Sequence, residues 1–235
     1  MSDERIIGII GAMDLEVESL IDSMDNYKVV EGAGKKFYVG TISGVNVVLA
    51  RCGVGKVNAG TTVQLMVDRF GITDIINTGV AGSLDEHIDI LDFVVATGAV
   101  YHDMEAIAFG YERGQVPQMD VFEFPTNEDL AQKAKEASNR VNSKVKVHSG
   151  RVASGDQFIA DKETKNFIKS TFAPLCVEME GAAIAHAAYL NNISCLIIRA
   201  ISDKADDSAS MDYPAFEKEA AIHSAKLVKE MLATL

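Results

Sequence analysis

The sequence predicts an α/β fold, a single domain over residues 1–235 with a mixed, mostly parallel central sheet flanked by helices. Three observations predict it. Val- and Ile-rich runs such as Ile6–Gly11, Ile72–Thr78 and Cys195–Ser202 stay apolar without polar alternation, as strands covered on both faces do. Segments between such runs repeat their apolar residues at helical spacing. The chain has 235 residues, 48% hydrophobic and 24% charged, which is globular in composition and within reach of one large α/β domain.

Taken in order, Ile6–Gly11 opens as a buried strand, and Val17, Leu20, Ile21 and Met24 then mark one face of a helix. Phe37–Ile42 and Val45–Ala50 form a hairpin turning at Ser43-Gly44, and a helix over Val57–Phe70 stops at Gly71. Ile72–Thr78 is a strand running into Gly79-Val80-Ala81-Gly82, and Phe93–Val100 is another. Tyr101–Thr126, broken by Gly110, Gly114 and Pro117, reads as a long functional or interface loop. A polar helix over Asn127–Val141 and a strand over Val145–Ala153 follow. Cys176–Met179 and Cys195–Ser202 are strands around a helix over Glu180–Tyr189, and Pro214–Leu232 is the last helix. Strand and helix alternate throughout, which argues for one α/β unit without linker or repeat.

Composition excludes several classes. Acids outnumber bases 34 to 22, a net charge of −12, so phosphate backbones and anionic membrane surfaces are repelled. The three cysteines, Cys52, Cys176 and Cys195, are scattered and suit a reduced compartment. The first residues carry acids where a secretory leader carries bases, and Gly181–Leu190 falls short of the ~20 residues of a membrane span. The expectation is a soluble, cytoplasmic chain with no nucleic-acid or membrane partner.

The informative residues are carboxylates set against apolar surfaces. Glu16 opens the first helix four positions before Leu20, on the side of the buried stripe. Glu180 stands three and four residues before Ala183 and Ile184 on an alanine-rich helix, and Asp203 ends the continuous strand Cys195–Ser202. In open α/β sheets ligands bind at such carboxyl ends. Helix capping is the plain alternative for each acid. Acids converging in a partly dry site are equipment for general acid–base catalysis, because burial lifts a carboxyl pKa. Other signals are weaker. Gly8-Ile9-Ile10-Gly11 lacks the GxGxxG spacing of a dinucleotide site, and Glu16 would face the pyrophosphate. His102-Asp103 has no third ligand at metal-binding spacing and reads as a hydrogen-bonded loop pair.

Seven collinear segments carry a resemblance: Ile9–Glu16, Asn77–Gly82, Tyr101–Asp103, Ala108–Tyr111, Ser154–Asp156, Val177–Glu180 and Arg199–Asp203. Together they resemble bacterial 5′-methylthioadenosine/S-adenosylhomocysteine nucleosidases over essentially the whole chain. The resemblance implies a nucleoside-phosphorylase-like fold, a homodimer, and neither metal nor organic cofactor. It implies hydrolysis of the N-glycosidic bond of 5′-thioadenosines, and of 5′-deoxyadenosine, to adenine and the sugar, a step of methionine salvage. By the family pattern Glu16 is the general base, Asp203 the general acid at the purine, and Glu180 the ribose binder. Phe158 and Ile159 match residues that pack on adenine and offer it backbone groups. Gly82, Met179, Ser202 and Tyr213 match pocket-lining residues, Val54 faces the 5′ substituent, and Phe109 closes the neighbouring subunit's site. One position departs: Val80 stands where several relatives have Ser, removing a hydroxyl that would orient Glu16 or the water, and Ser83 is the candidate to replace it.

The residues suit that chemistry. Cleaving a C–N ribosidic bond builds positive charge on the sugar and negative charge on the purine, so an acid at N7 creates a neutral leaving group. A dry strand end beside Tyr213 would keep Asp203 protonated, and Glu16, on a separate strand–helix turn, would activate water from the other side. Phosphate as nucleophile would want Arg, Lys or a bare helix N-terminus. The first turn instead offers Asp14 and Glu16 and no base until Lys28, while Arg199 is placed to pair with Glu178. Three readings are carried forward: a nucleosidase, a purine nucleoside phosphorylase, and a non-catalytic nucleotide-binding sensor.

Overall fold

The computed structural model describes residues 5–141 and 145–235; the acidic stretch at residues 1–4 lies outside them. At the centre, β1 (Ile7–Gly11) lies parallel to both β4 (Val45–Arg51) and β5 (Asp74–Ser83). Its five residues are all buried, as their unbroken apolar run requires. Beyond β4 the sheet continues antiparallel through β3 (Lys35–Ile42) to β2 (Asp25–Gly32). On the other side it curls. β5 runs parallel to β10 (Ser194–Asp203), which pairs antiparallel with β6 (Phe93–Tyr101). β6 pairs parallel with β8 (Val147–Ser154), β8 with β9 (Cys176–Glu178), and β9 returns antiparallel to β5. The short β7 (Phe124–Pro125) adds to β6. Five strands thereby close into a ring, which removes exposed edges and gathers strand ends at one rim. The longest ladders, β5 with β10 and β6 with β8, are parallel.

Helices cover both faces. α2 (Lys56–Phe70) and α5 (Gly181–Leu190) pack through Ala59, Val63, Met66 and the alanines of α5 against Ile10, Phe37 and Ile75. On the opposite face α1 (Asp14–Ile21), α3 (Glu128–Val141) and α6 (Ala209–Leu232) bury Val17, Leu20, Leu227 and Val228 against Ile7, Ile9 and Ile76. Successive residues of β1 thus serve opposite layers, as the two-residue strand period dictates. A third cluster lies under α4 (Lys162–Phe172), where Ile168 and Phe172 meet Leu84, Val100, Ile159 and Val177.

Most expected elements are present, with instructive differences. The turn at Ser43-Gly44 has φ of 52° and 80°, the left-handed pair of a tight hairpin. β2 and α4 are not foreseen. β2 is an edge strand with five exposed residues in succession, so it carries no apolar pattern to read. The N-cap of α4, Asp161, accepts from the Thr164 N–H at 2.8 Å, a local signal the polar sequence around it hides. α5 begins at Gly181, one residue later than expected, leaving Glu180 as its cap. α6 begins at Ala209 and carries Pro214 inside it instead of starting there. The long middle loop holds one 3-10 turn, Ile107–Phe109. Among the described residues no helix is long and apolar enough to cross a membrane, and the three cysteines are buried and unpaired.

The C-cap Gly71 sits at φ +63°, a left-handed conformation that costs little only for glycine. Gly71→Ala is expected to lower stability by ~1 kcal/mol in urea unfolding, with no change in any activity of the distant rim.

Candidate active site

The rim where β1, β5, β9 and β10 end holds a cavity of about 120 Å³. Glu16 reaches it from the first turn of α1 and is buried. Its Oε2 accepts the N–H groups of Ala12 at 2.6 Å and Met13 at 3.0 Å, and its Oε1 accepts that of Val80 at 3.1 Å. The Met13 bond is the backward half of a capping box, which explains why an acid at the third helical position turns inward. Burial raises its pKa, against the opposing pull of the Arg199 charge and the three backbone donors. Val80 therefore supplies a main-chain donor where a serine hydroxyl was missed. Ser83 does not replace that hydroxyl: its Oγ donates to Asp85 O at 2.8 Å, away from Glu16.

Asp203, at the end of β10, accepts from Ala205 N–H at 2.8 Å through Oδ1 and from Ser202 Oγ at 2.9 Å through Oδ2. Burial raises its pKa; these two donors oppose the rise, and the charges of Asp212 and Asp206 add to it. Gly82 pairs with Asp203 across the ladder, and a Cβ there would sit 2.8 Å from Asp203 Oδ1. Only a glycine leaves that carboxylate its place.

Glu180 caps α5 and accepts the Gly55 N–H at 2.8 Å. Burial, reinforced by the adjacent Glu178, pushes its pKa up to about 8. Glu178 behaves oppositely. Burial alone would raise it, but the Arg199 guanidinium, the Ser154 hydroxyl and the Gly181 N–H outweigh burial and hold it below the usual carboxylate range. Arg199 is itself sealed inside the sheet, donating to Glu178 and Asn77. Burial disfavours its charge, yet Glu178, Glu16 and Glu180 keep it protonated. The expected Arg199–Glu178 pair is thus present.

The structure brings together Glu16, Val54, Gly82, Phe158, Met179, Glu180, Ser202, Asp203 and Tyr213 around this one cavity. The rings of Phe158 and Tyr213 meet edge-on at 5.3 Å, and the Tyr213 hydroxyl lies 3.4 Å from Met13 Sδ, which narrows the opening. Ile159, expected to offer main-chain groups, and Phe109, expected at the neighbouring subunit's site, do not line this cavity. Ile159 turns its side chain into the core beneath α4, because its neighbours Val100, Phe172 and Val177 offer an apolar seat. Phe109 projects from the 3-10 turn, 84% exposed and outside the cavity. Ala12, Met13, Ala81, Val177 and Glu178 also line the cavity, brought there by the strand ends without having been singled out for it. Asp103 does not bond His102; it takes Lys56 instead. Among the described residues no group of three metal-ligating side chains gathers.

A family model described as "Phosphorylase superfamily" matches residues 6–233. The chain belongs to this superfamily. Its phosphorylase-superfamily relatives include a 5′-methylthioadenosine/S-adenosylhomocysteine nucleosidase of Staphylococcus saprophyticus, 41% identical over 231 residues, covering 98% of this chain and 100% of the relative. A solved nucleosidase of the same description from Neisseria meningitidis, in complex with methylthio-immucillin-A, is 37% identical with a TM-score of 0.95, covering 98% and 100% of the two chains. The futalosine hydrolase of Helicobacter pylori is also similar, at 35% identity and a TM-score of 0.92 over 98% of each chain. The fold expected from the sequence is therefore shown for this superfamily member.

The raised Glu180 makes stability depend on pH in a definite sense. Its folded pKa of about 8 exceeds the ordinary value of 4.5, so the folded chain keeps a proton that the unfolded chain releases. The resulting stability is full below about 4.5 and is lost as pH rises through about 8. Glu16 and Asp203, also raised, contribute with the same sign. Glu180→Gln, uncharged in both states, is expected to shrink the fall in urea midpoint between about pH 5 and about pH 8.5. An unchanged slope would remove the raised pKa from the account.

Proposed function

We propose that this chain is an N-glycosyl hydrolase that cleaves 5′-methylthioadenosine and S-adenosylhomocysteine to adenine and a 5-thioribose. One observation carries hydrolysis over phosphorolysis within the superfamily: among the described residues the cavity is lined by four carboxylates, Glu16, Glu178, Glu180 and Asp203, and by no Lys, Arg or His. A phosphate nucleophile would meet like charge, since Arg199, the cation behind the cavity, is spent on Glu178 and Asn77. Water meets a base.

Asp203, whose pKa burial raises, donates a proton to N7 of the purine as the glycosidic bond lengthens. Ser202 and the Ala205 N–H fix the carboxyl for that transfer and then stabilise the carboxylate it becomes. Glu16, on the opposite strand–helix turn, takes the proton from water attacking the anomeric carbon, and its three backbone donors stop it from turning away. Glu180 hydrogen-bonds the ribose hydroxyls through a carboxyl that burial keeps largely protonated. Phe158 covers adenine, with the Ile159 main chain beside its edge, while Gly82, Met179 and Tyr213 shape the remaining wall and Val54 meets the 5′ substituent. The same pocket admits 5′-deoxyadenosine.

A second copy of the chain completes the site in this reading. Val57, Leu190 and Phe109 are 78%, 61% and 84% exposed, which supports a covered surface in a homodimer with Phe109 reaching the partner's 5′ end. Unpaired, buried cysteines and the acidic composition support a cytoplasmic location.

Asp203→Asn and Glu16→Gln are each expected to lower adenine release, followed by chromatography, by about 10²–10⁴-fold. The wild-type rate is expected to be indifferent to added phosphate; a rate rising with phosphate, with sugar phosphate as product, selects the phosphorylase. Phe109→Ala is expected to raise KM for S-adenosylhomocysteine more than for methylthioadenosine, and equal KM changes would argue against a shared site.

A further inference from the structure

Three loops meet beside the cavity in a polar knot that touches neither Glu16 nor Asp203. Lys56, the first residue of α2, places Nζ 2.6 Å from Asp103 Oδ2 and 3.7 Å from Asp156 Oδ2. Asp103 Oδ2 also accepts the Asp156 N–H at 2.9 Å, and Asp156 Oδ1 accepts the Lys56 N–H at 2.9 Å. Each member thus binds the other two. The Lys56 ammonium also stands 5.4 Å from the centre of the Tyr101 ring.

The knot lies one or two residues from both halves of the substrate site. Gly55, immediately before Lys56, donates the N–H that Glu180 accepts at 2.8 Å. Its φ is +97°, and Asp156 Oδ1 lies 3.1 Å from where a Cβ would stand, so the turn is fixed on two sides. Phe158 follows Asp156 by two residues. Gly155, between β8 and Asp156, backs directly on the His102 ring, which leaves no room for that loop to slide toward β6. Lys56 and Asp103 side chains are only 22% and 20% exposed, so their ion pair is better shielded than a surface pair.

We propose that Lys56, acting through Asp103 and Asp156, is a positioning residue that locks the turn holding Glu180 to the loop carrying Phe158, so that the ribose and base subsites keep one spacing. The assignment of those subsites rests on the hydrolase reading above. Because Glu16 and Asp203 have their own donors, loss of the knot affects the grip on the nucleoside and not the proton transfers.

The test compares wild type with Lys56→Met and Lys56→Arg. Measured are KM and kcat for methylthioadenosine, calorimetric Kd for its 7-deaza analogue, which lacks the N7 to be protonated, and Tm. Lys56→Met is expected to raise KM and Kd about tenfold with kcat within about threefold, as loss of a charge-assisted hydrogen bond would. Lys56→Arg, which keeps the cation, is expected to recover most of the binding. A lowered Tm with unchanged KM and Kd would reduce the knot to a structural brace and overturn the proposal, as would a loss confined to kcat. If Lys56→Met does not fold, Asp103→Asn carries the same expectation. Wild-type protein that binds the analogue but releases no adenine would sink the hydrolase reading alone; an unchanged Kd in Lys56→Met would sink this one alone.

Discussion

A guanidinium buried inside the sheet is the constraint on which the site depends. Arg199, on β10, pairs with Glu178 of β9 and with Asn77 of β5, and Asn77 in turn donates to Ile10 O of β1 at 3.1 Å. Glu178 takes the Ser154 hydroxyl of β8 and the first N–H groups of α5. One charge pair therefore ties together the ends of the strands that form the rim. Removing either partner would leave the other uncompensated in the interior, a loss of about 3–5 kcal/mol in comparable pairs. The pair also sets the local field. It allows several carboxylates to crowd into one cavity while one positive charge stands behind them.

The cavity assigns different proton affinities to chemically similar groups through their partners. Glu178, next to Arg199, stays ionised; Glu180, two residues on, faces Glu178 and holds its proton to about 8. Burial raises Asp203 against its two donors, with Asp212 and Asp206 adding to the rise, and it raises Glu16 against Arg199 and three N–H groups. In the proposed mechanism acid and base stand at separate strand ends with distinct partners, the arrangement by which two carboxyl groups can perform opposite transfers at one pH.

Much of this was legible in the residues. The apolar runs of β1, β5 and β10 announced buried strands, Gly71 announced the end of α2, and Ser43-Gly44 announced a hairpin. Asp203 and Glu16 stood out because an acid at the end of a buried strand, or facing a buried stripe, needs a reason. β2 escaped because an edge strand wetted on both faces has no hydrophobic period. α4 escaped because its apolar residues, Ile168 and Phe172, matter only beside Leu84 and Val100, which come from distant parts of the chain. For Glu180 the sequence leaves open a place inside α5 or its cap, and the structure makes it the cap, since sequence shows the alanines that follow but not the dihedral angles that precede them. Ser83 lies near Val80 in sequence, but strand geometry turns its hydroxyl to Asp85 and away from Glu16.

The sequence by itself determined which segments would be buried, which residue types were available for proton transfer, and, through seven ordered motifs, the kind of family to expect. Those are local properties, fixed by side-chain chemistry and period. Only the tertiary structure decided that the sheet closes into a ring, that Val80 offers Glu16 a backbone donor, that Ile159 faces the core and Phe109 the outside, and that Lys56 finds two aspartates from separate loops. Such facts depend on which strands pair and in what register, and a pairing between residues a hundred positions apart leaves no mark on either residue alone.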